Sequence, residues 1–424
     1  MPFELEALPA CKGDALLLHF GTKAAPRLAV IDGGTSGVYE PSMKPRLIEI
    51  RAERGMPANQ ALPIDWMMVS HIDDDHIYGI LELTRELTEA KDDDQALPYR
   101  IQDIWHNTFD DLLGTTPEDL QASITAGFGA ASSAEIALDI APQLTLDAAK
   151  ILASVPQGRQ LRDDIRKLEL AHNEPFEDLV MLKPGAEPKV RFGGAAEGSI
   201  GVRVIGPMKD QLIALQKKHD QYLRALAKKR KKPVNRRSLE AALAAFSDKS
   251  APNLSSIVTE VRSGEKLMLL TGDARGDFII EGLKKAKLLS GGKPYVVDLL
   301  KVPHHGSDNN VTQEFFTAIQ AMHYVFSGNG QHGNPERETM QMLFNARNAD
   351  ESLREETCTL WFNYPIEEID RNRRLDWEKE FDKGRRTRHW DKAKDSLEAF
   401  FEGKAASVVK HELEGLDEPV RVVL

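Results

Sequence analysis

The sequence predicts an α/β protein built as an αββα sandwich, two mixed β-sheets face to face with helices outside. Three observations carry that expectation. The first 108 residues run strand, strand, helix. The same pattern returns after residue 185. Three strand-like runs end in side chains that bind metal ions, and layered α/β folds gather such strand ends on one rim.

Residues 3–8, 14–20 and 27–31 read as strands, the last running into Asp32-Gly33-Gly34, a tight turn where a missing Cβ permits positive φ. Residues 46–53, just after Pro45, read as a helix. The apolar run 64–69 reads as a buried strand, 80–90 as a helix and 99–105 as the next strand, ending at His106. From about 110 to 180 the chain turns Ala- and Leu-rich with helical spacing, over 134–140, 146–153 and 161–170, as in a helical insertion. Strands return at 189–192 and 201–205. A second helical insertion fills about 208–250. Strands then follow at 255–261, 266–270, 296–302 and 324–327, with helices at 278–286, 315–319 and 336–346. The main domain therefore spans 1–345 with these two insertions. Residues 346–424 form a C-terminal extension packing on the core, with a strand over 359–362, a charged stretch over 366–404 and an edge strand over 420–424.

Bulk composition narrows the classes. The chain of 424 residues is 41% hydrophobic and 29% charged, ordinary for a globular protein. No apolar run reaches the roughly 18 residues of a membrane helix, and the acidic N-terminus lacks a secretory pattern. Two distant cysteines, Cys11 and Cys358, argue against a disulfide scaffold and against thiolate zinc, and point to a reducing cytoplasm. A net charge of −11 is unlike a surface coated for nucleic acid, so any such binding has to be local.

The run Ser70-His71-Ile72-Asp73-Asp74-Asp75-His76 is the most telling stretch. Two imidazoles and two carboxylates crowded at a strand end are costly unless a divalent cation compensates them. Asp273 and the pair His304-His305 end two later strands.

With these motifs the chain resembles the metallo-β-lactamase-fold hydrolases, and within them the hydrolase domain of ComEC competence proteins. That branch reads His-x-Asp-x-Asp-His, as His71-Ile72-Asp73-Asp74-Asp75-His76 does. Its other marks recur in order: Lys12-Gly13-Asp14, Ile31-Asp32-Gly33-Gly34, Asn253-Leu254-Ser255-Ser256, Leu270-Thr271-Gly272-Asp273 and Val302-Pro303-His304-His305-Gly306-Ser307. The resemblance covers about residues 1–108 and 185–345.

The resemblance implies a site for one or two divalent ions, zinc or manganese. His71 and Asp73 would build one site and Asp75 and His76 the other, with Asp273 bridging and His304 completing the second. His304 lies nearer the strand end than His305, but the sequence leaves the choice open; the histidine that is not the ligand would donate a proton or hydrogen bond to substrate. The ions would hold a water as hydroxide against phosphorus or carbonyl carbon. Asp75 would help orient it, which makes Asp75, Asp273 and His305 the catalytic candidates. Asp32 would fix a ligand imidazole. Asn253 and Ser255 would border the ligands or the substrate.

Two departures matter. Asp73 stands where most of the superfamily has a second histidine, and a further histidine position falls in the run Asn253-Leu254-Ser255-Ser256. Both favour oxygen ligands, hence manganese, or one tight and one loose site. His106 is either a replacement ligand or a structural histidine. His332 is either a substrate contact or an exposed loop residue, and the nearby Asn334-Pro335 replaces the His-Pro common in the ComEC branch.

The basic run Lys228, Lys229, Arg230, Lys231, Lys232, Arg236, Arg237 reads as a solvated helix end or as an arm for nucleic-acid phosphates. A second patch, 383–389 with Trp390, pairs charge with an aromatic ring. Three functions follow: a phosphodiesterase acting on nucleic acid; a small-molecule hydrolase (lactonase, thioesterase or cyclic-nucleotide phosphodiesterase) with the 110–180 insertion as a lid; or a catalytically degenerate module working with a partner protein.

Overall fold

A computed structural model describes residues 3–107, 146–176, 179–183, 189–194, 197–212, 255–354, 356–402, 408–412 and 419–424. In chain order its strands are β1 (Glu4–Ala7), β2 (Leu16–Gly21), β3 (Pro26–Ile31), β4 (Leu62–Ile64), β5 (Trp66–Met68), β6 (Tyr99–Ile101), β7 (Ile104–Trp105), β8 (Lys189–Phe192), β9 (Ile200–Gly206), β10 (Val258–Ser263), β11 (Lys266–Leu270), β12 (Tyr295–Lys301), β13 (Ile319–Phe326), β14 (Cys358–Phe362), β15 (Val408–Glu412) and β16 (Val420–Val423). One sheet has the order β16-β1-β2-β3-β5-β7, the other β15-β14-β13-β12-β11-β10-β9-β8, and β4 pairs with β6 alone.

Period-two alternation places the strands. Leu16 and Leu18 of β2, Ala29 and Ile31 of β3, and Trp66 and Met68 of β5 enter an apolar cluster shared with Val202 and Val204 of β9, Met268 and Leu270 of β11, and Leu299 of β12. The core therefore lies between the two sheets. The intervening Leu17, Leu28, Val30 and Met67 enter a second cluster with α1 (Lys44–Glu53), α2 (Asp74–Asp92) and α3 (Leu146–Leu168). Leu267, Leu269, Leu300 and Tyr324 enter a third, with α4 (Gly276–Lys285), α5 (Gln313–Ala318), α6 (Arg337–Ala349) and α7 (Ile366–Asp382). The protein is a mixed α/β fold.

Strand direction positions the site. β3, β5 and β7 are parallel neighbours, as are β11, β12, β13, β14 and β15. Asp32, His71, His106, Asp273, His304 and Ser327 all follow carboxyl ends of these strands, where open α/β sheets place their ligands.

Several elements differ from their expected form. The run 64–69 is two strands in different sheets. Asp65 divides it: its buried carboxylate accepts from Arg27 Nη1 and from the Leu28 amide (3.3 Å). The run 99–105 divides at Asp103, which accepts from Trp105 Nε1 at 2.7 Å. Helix α2 starts at Asp74 rather than at 80, with Asp73 as its extended N-cap. Asp74 and Asp75 thus occupy the first turn, where carboxylates favour the partial positive charge of the helix end. Segment 146–153 and most of 161–170 belong to one helix, α3, which ends at Leu168. The tail 346–424 supplies β14 and β15 to one sheet and β16, antiparallel to β1, to the other. The expected helix over 134–140, the 213–250 part of the second insertion with its basic run, and Asn253 lie outside the described residues. Among the described residues no helix is long and apolar enough to cross a membrane.

Candidate metal centre

Two backbone approaches bring the ligand-bearing loops together. A Cβ on Gly13 would stand 1.9 Å from the carbonyl oxygen of Asp75, and one on Gly79 would stand 2.1 Å from that of Gly33. Glycine at 13 lets the β1–β2 hairpin reach the start of α2, so that the Asp14 amide donates to the Asp75 carbonyl at 3.1 Å. The turn at 32–34 behaves differently from expectation at its middle residue: Asp32 and Gly34 take positive φ (59° and 73°), while Gly33 serves the close contact.

Asp273 sits at the middle. Its Oδ1 lies 3.2 Å from His76 Nε2 and 3.5 Å from His305 Nε2. Its Oδ2 lies 3.6 Å from His304 Nε2 and 3.8 Å from His71 Nε2. Asp73 Oδ2 is 3.7 Å from the same His71 nitrogen. Nε2 of His71, His76 and His305 and Oδ1 of Asp273 are buried without a hydrogen-bond partner. Each such atom costs about 1–3 kcal/mol if nothing satisfies it. Donors held 2.0–2.1 Å from a tetrahedral ion stand roughly 3.4 Å apart. The spacing and the imidazole–carboxylate mix therefore fit a divalent cation.

Behind the ligand atoms the imidazoles rest on carboxylates. His76 Nδ1 meets Asp32 Oδ2 at 2.8 Å, and Ser70 donates to Asp32 through its amide (2.6 Å) and hydroxyl (2.7 Å). His305 Nδ1 lies 3.3 Å from Asp14 Oδ1 and 3.0 Å from Ser327 Oγ, whose hydroxyl also donates to Asp14. Lys301, fully buried on β12, places Nζ 2.7 Å from Asp14 Oδ2. Such backing fixes ring orientation and tautomer at metal sites.

Electrostatics separates these groups. Burial pushes the Asp32 carboxyl above its usual range against the pull of His76. Burial also opposes charge on Asp14, but Lys301 and then His305 hold it far below that range. Asp273 is likewise held well below, because His305, His76 and His304 outweigh its burial. Burial and the neighbouring His76 push His71 down to about 3, leaving a neutral ring with a lone pair to give. His76 is raised, because Asp273 and Asp32 outweigh its burial.

The expected residues distribute as follows. His71, Asp73, His76, Asp273, His304 and His305 converge. His304 is at the rim, its side chain 25% exposed, whereas His305 is buried. Asp75 is buried in the first turn of α2, and its charge bears on both His71 and His304. Ser255 is buried beside Ser256, whose hydroxyl accepts from the Asp273 amide at 3.3 Å. His106 is buried, its backbone bonded on both sides to Asn173 and its ring stacked 6.1 Å from His172; it stands outside the close groupings around Asp273 and Asp14. His332 is exposed, 3.4 Å from Lys12 Nζ. Sequence reasoning gave no site role to Asp14, Lys301, Ser70 or Ser327. The available signals were an aspartate directly after Gly13 and one lysine inside the apolar run 295–302.

No protein-family model matches the chain. A short stretch is similar to microtubule-associated protein 1A of Rattus norvegicus and of Mus musculus, each 33% identical over 75 residues, 16% of this chain. The chain covers 3% of the length of those relatives, and the shared stretch is too short to assign a family.

Proposed function

We propose that the protein is a metal-dependent hydrolase with the αββα sandwich of the metallo-β-lactamase type, acting on phosphodiester bonds of nucleic acid. One observation carries the reading: four buried donor atoms without hydrogen-bond partners, from His71, His76, His305 and Asp273, converge at strand ends. The three apolar clusters, one between the sheets and one outside each, support the architecture.

His71, His76 and Asp273, with Asp73 and buried His305, would hold the metal, and the oxygen share of this set favours manganese beside zinc. A divalent cation bound there supplies Lewis acidity and a nucleophile at neutral pH. Asp32 and Asp14 hold the His76 and His305 rings with Nε2 toward Asp273. Rim-placed His304, whose ring burial keeps neutral, would donate a hydrogen bond to the leaving oxygen. Asp75, at the helix N-terminus, adds negative charge beside His71 and His304.

The test is hydrolysis of bis(4-nitrophenyl) phosphate and of labelled oligonucleotides with manganese or zinc. We expect metal-dependent cleavage that falls more than 100-fold in Asp273→Ala. Protein that binds the metal fully yet cleaves neither substrate would refute the reading and favour a catalytically degenerate binding module.

A further inference from the structure

A cleft of about 460 Å³ lies between the loop that follows His304-His305 and the end of α7. One wall is the loop after His304-His305: Asp308 lines the cleft and its amide donates to Glu336 Oε2 at 2.7 Å, while the Glu336 amide returns to the Gly306 carbonyl at 3.1 Å. His332 lines it too, touching Lys12 beside Gly13-Asp14. The opposite wall is the end of α7 and the turn that follows, the second basic patch of the sequence.

That wall combines cations with indoles. The Arg386 guanidinium carbon stands 4.0 Å from the Trp377 ring centroid and that of Arg388 4.9 Å. Trp377 meets Trp390 edge to face at 5.7 Å. Six cationic and six acidic side chains line the cleft, so its positive charge is local rather than overall. Asp395 takes Arg388 in two contacts of 2.6 Å, and Glu380 takes Lys383 and Arg385 at 2.8 Å each. Lys379 and Arg386 have no acidic partner among the described residues. Burial and the adjacent Asp308 push Glu336 up to about 8, which removes a negative charge from the cleft at neutral pH.

A guanidinium held over an indole loses little freedom when it takes a phosphate. Indoles also give a face on which any base can stack. An acidic peptide would use the cations and leave the indoles idle. We infer that this cleft binds single-stranded nucleic acid, its phosphates on Lys379 and Arg386 and a base against the Trp377–Trp390 pair. Its role as the approach to the metal centre rests on the hydrolase reading; binding itself does not.

The experiment uses the full chain in a chelator-containing buffer and a fluorescein-labelled oligothymidylate of about 12 nucleotides. Anisotropy and tryptophan quenching are followed over a salt series. We expect the wild type to bind with quenching. Lys379→Ala/Arg386→Ala should bind more than tenfold more weakly, with a salt slope smaller by roughly 1.4, the loss of two phosphate contacts. Both side chains are exposed, so folding is not at stake. No binding by the wild type, unchanged affinity in the double variant, or equal binding of a polyglutamate of the same length would overturn the inference. Cleavage is scored separately with manganese. Binding without cleavage leaves the cleft standing and removes the hydrolase reading; cleavage with unchanged binding in the double variant removes the cleft alone.

Discussion

His76, in the first turn of α2, and His305, in the loop after β12, reach the same oxygen of Asp273, and each sets Nδ1 on a buried carboxylate. The two carboxylates are not equivalent. Asp32, behind His76, has Ser70 and the imidazole itself as partners, and burial pushes its carboxyl up. Asp14, behind His305, has a buried lysine at 2.7 Å and stays ionised. Burial pushes both carboxyls toward neutrality; the pull of His76 does not reverse this at Asp32, whereas Lys301 with His305 does at Asp14. The N-terminal half of the site is tuned by hydrogen bonds, and the C-terminal half by an ion pair that the fold has to bury.

The sharpest way to break this contrast is Lys301→Met. It strands the Asp14 charge, and we expect a loss of about 3–5 kcal/mol in stability, read from urea unfolding. Asp14→Asn/Lys301→Met should recover most of it, because the buried pair is removed as a whole. A small cost in the single variant would mean that Lys301 does not hold Asp14.

A third buried carboxylate, Glu6, extends the comparison away from the metal. His19 lies 3.3 Å away, Arg46 holds it in two bonds of 2.9 Å and Arg421 reaches it at 2.6 Å. Burial opposes its charge, but His19 and Arg46 bring the carboxyl down to about 2 from 4.5. A lowered folded value gives stability that is present above pH 4.5 and lost as the pH falls toward 2. The amount is about 3 kcal/mol, from 1.36 kcal/mol per unit. Between pH 5 and pH 3 roughly 2 kcal/mol of it should be lost in the wild type, read from urea unfolding, and less in Glu6→Gln.

Asp32→Asn tests the other half. It keeps the shape and weakens the hold on His76, and we expect metal affinity to fall 10–100-fold in a chelator competition, with little change in folding. Smallest is Ser70→Ala. The Ser70 amide still donates to Asp32, so about 1 kcal/mol of stability should go with the hydroxyl.

The sequence made the alternating strands and the crowded ligand run legible, because period two and clustered imidazoles are local signals. It hid what depends on distant partners. The break of the run 64–69 at Asp65 depends on Arg27 and Leu28, and Asp14 acquires its place only when Lys301 arrives from another sheet. The early start of α2 was masked by the acidic motif itself, although acids suit a helix N-terminus. Both sheets also recruit strands from the tail, a pairing that no spacing along the chain encodes.

Metal content tests the central claim most directly. Wild-type protein and Asp273→Ala, purified without chelator and reloaded with manganese or zinc, are compared by plasma mass spectrometry. We expect one or two equivalents in the wild type and essentially none in the variant. A wild type that stays empty after loading, or a variant that retains its full complement, would contradict the assignment of these residues to a metal centre.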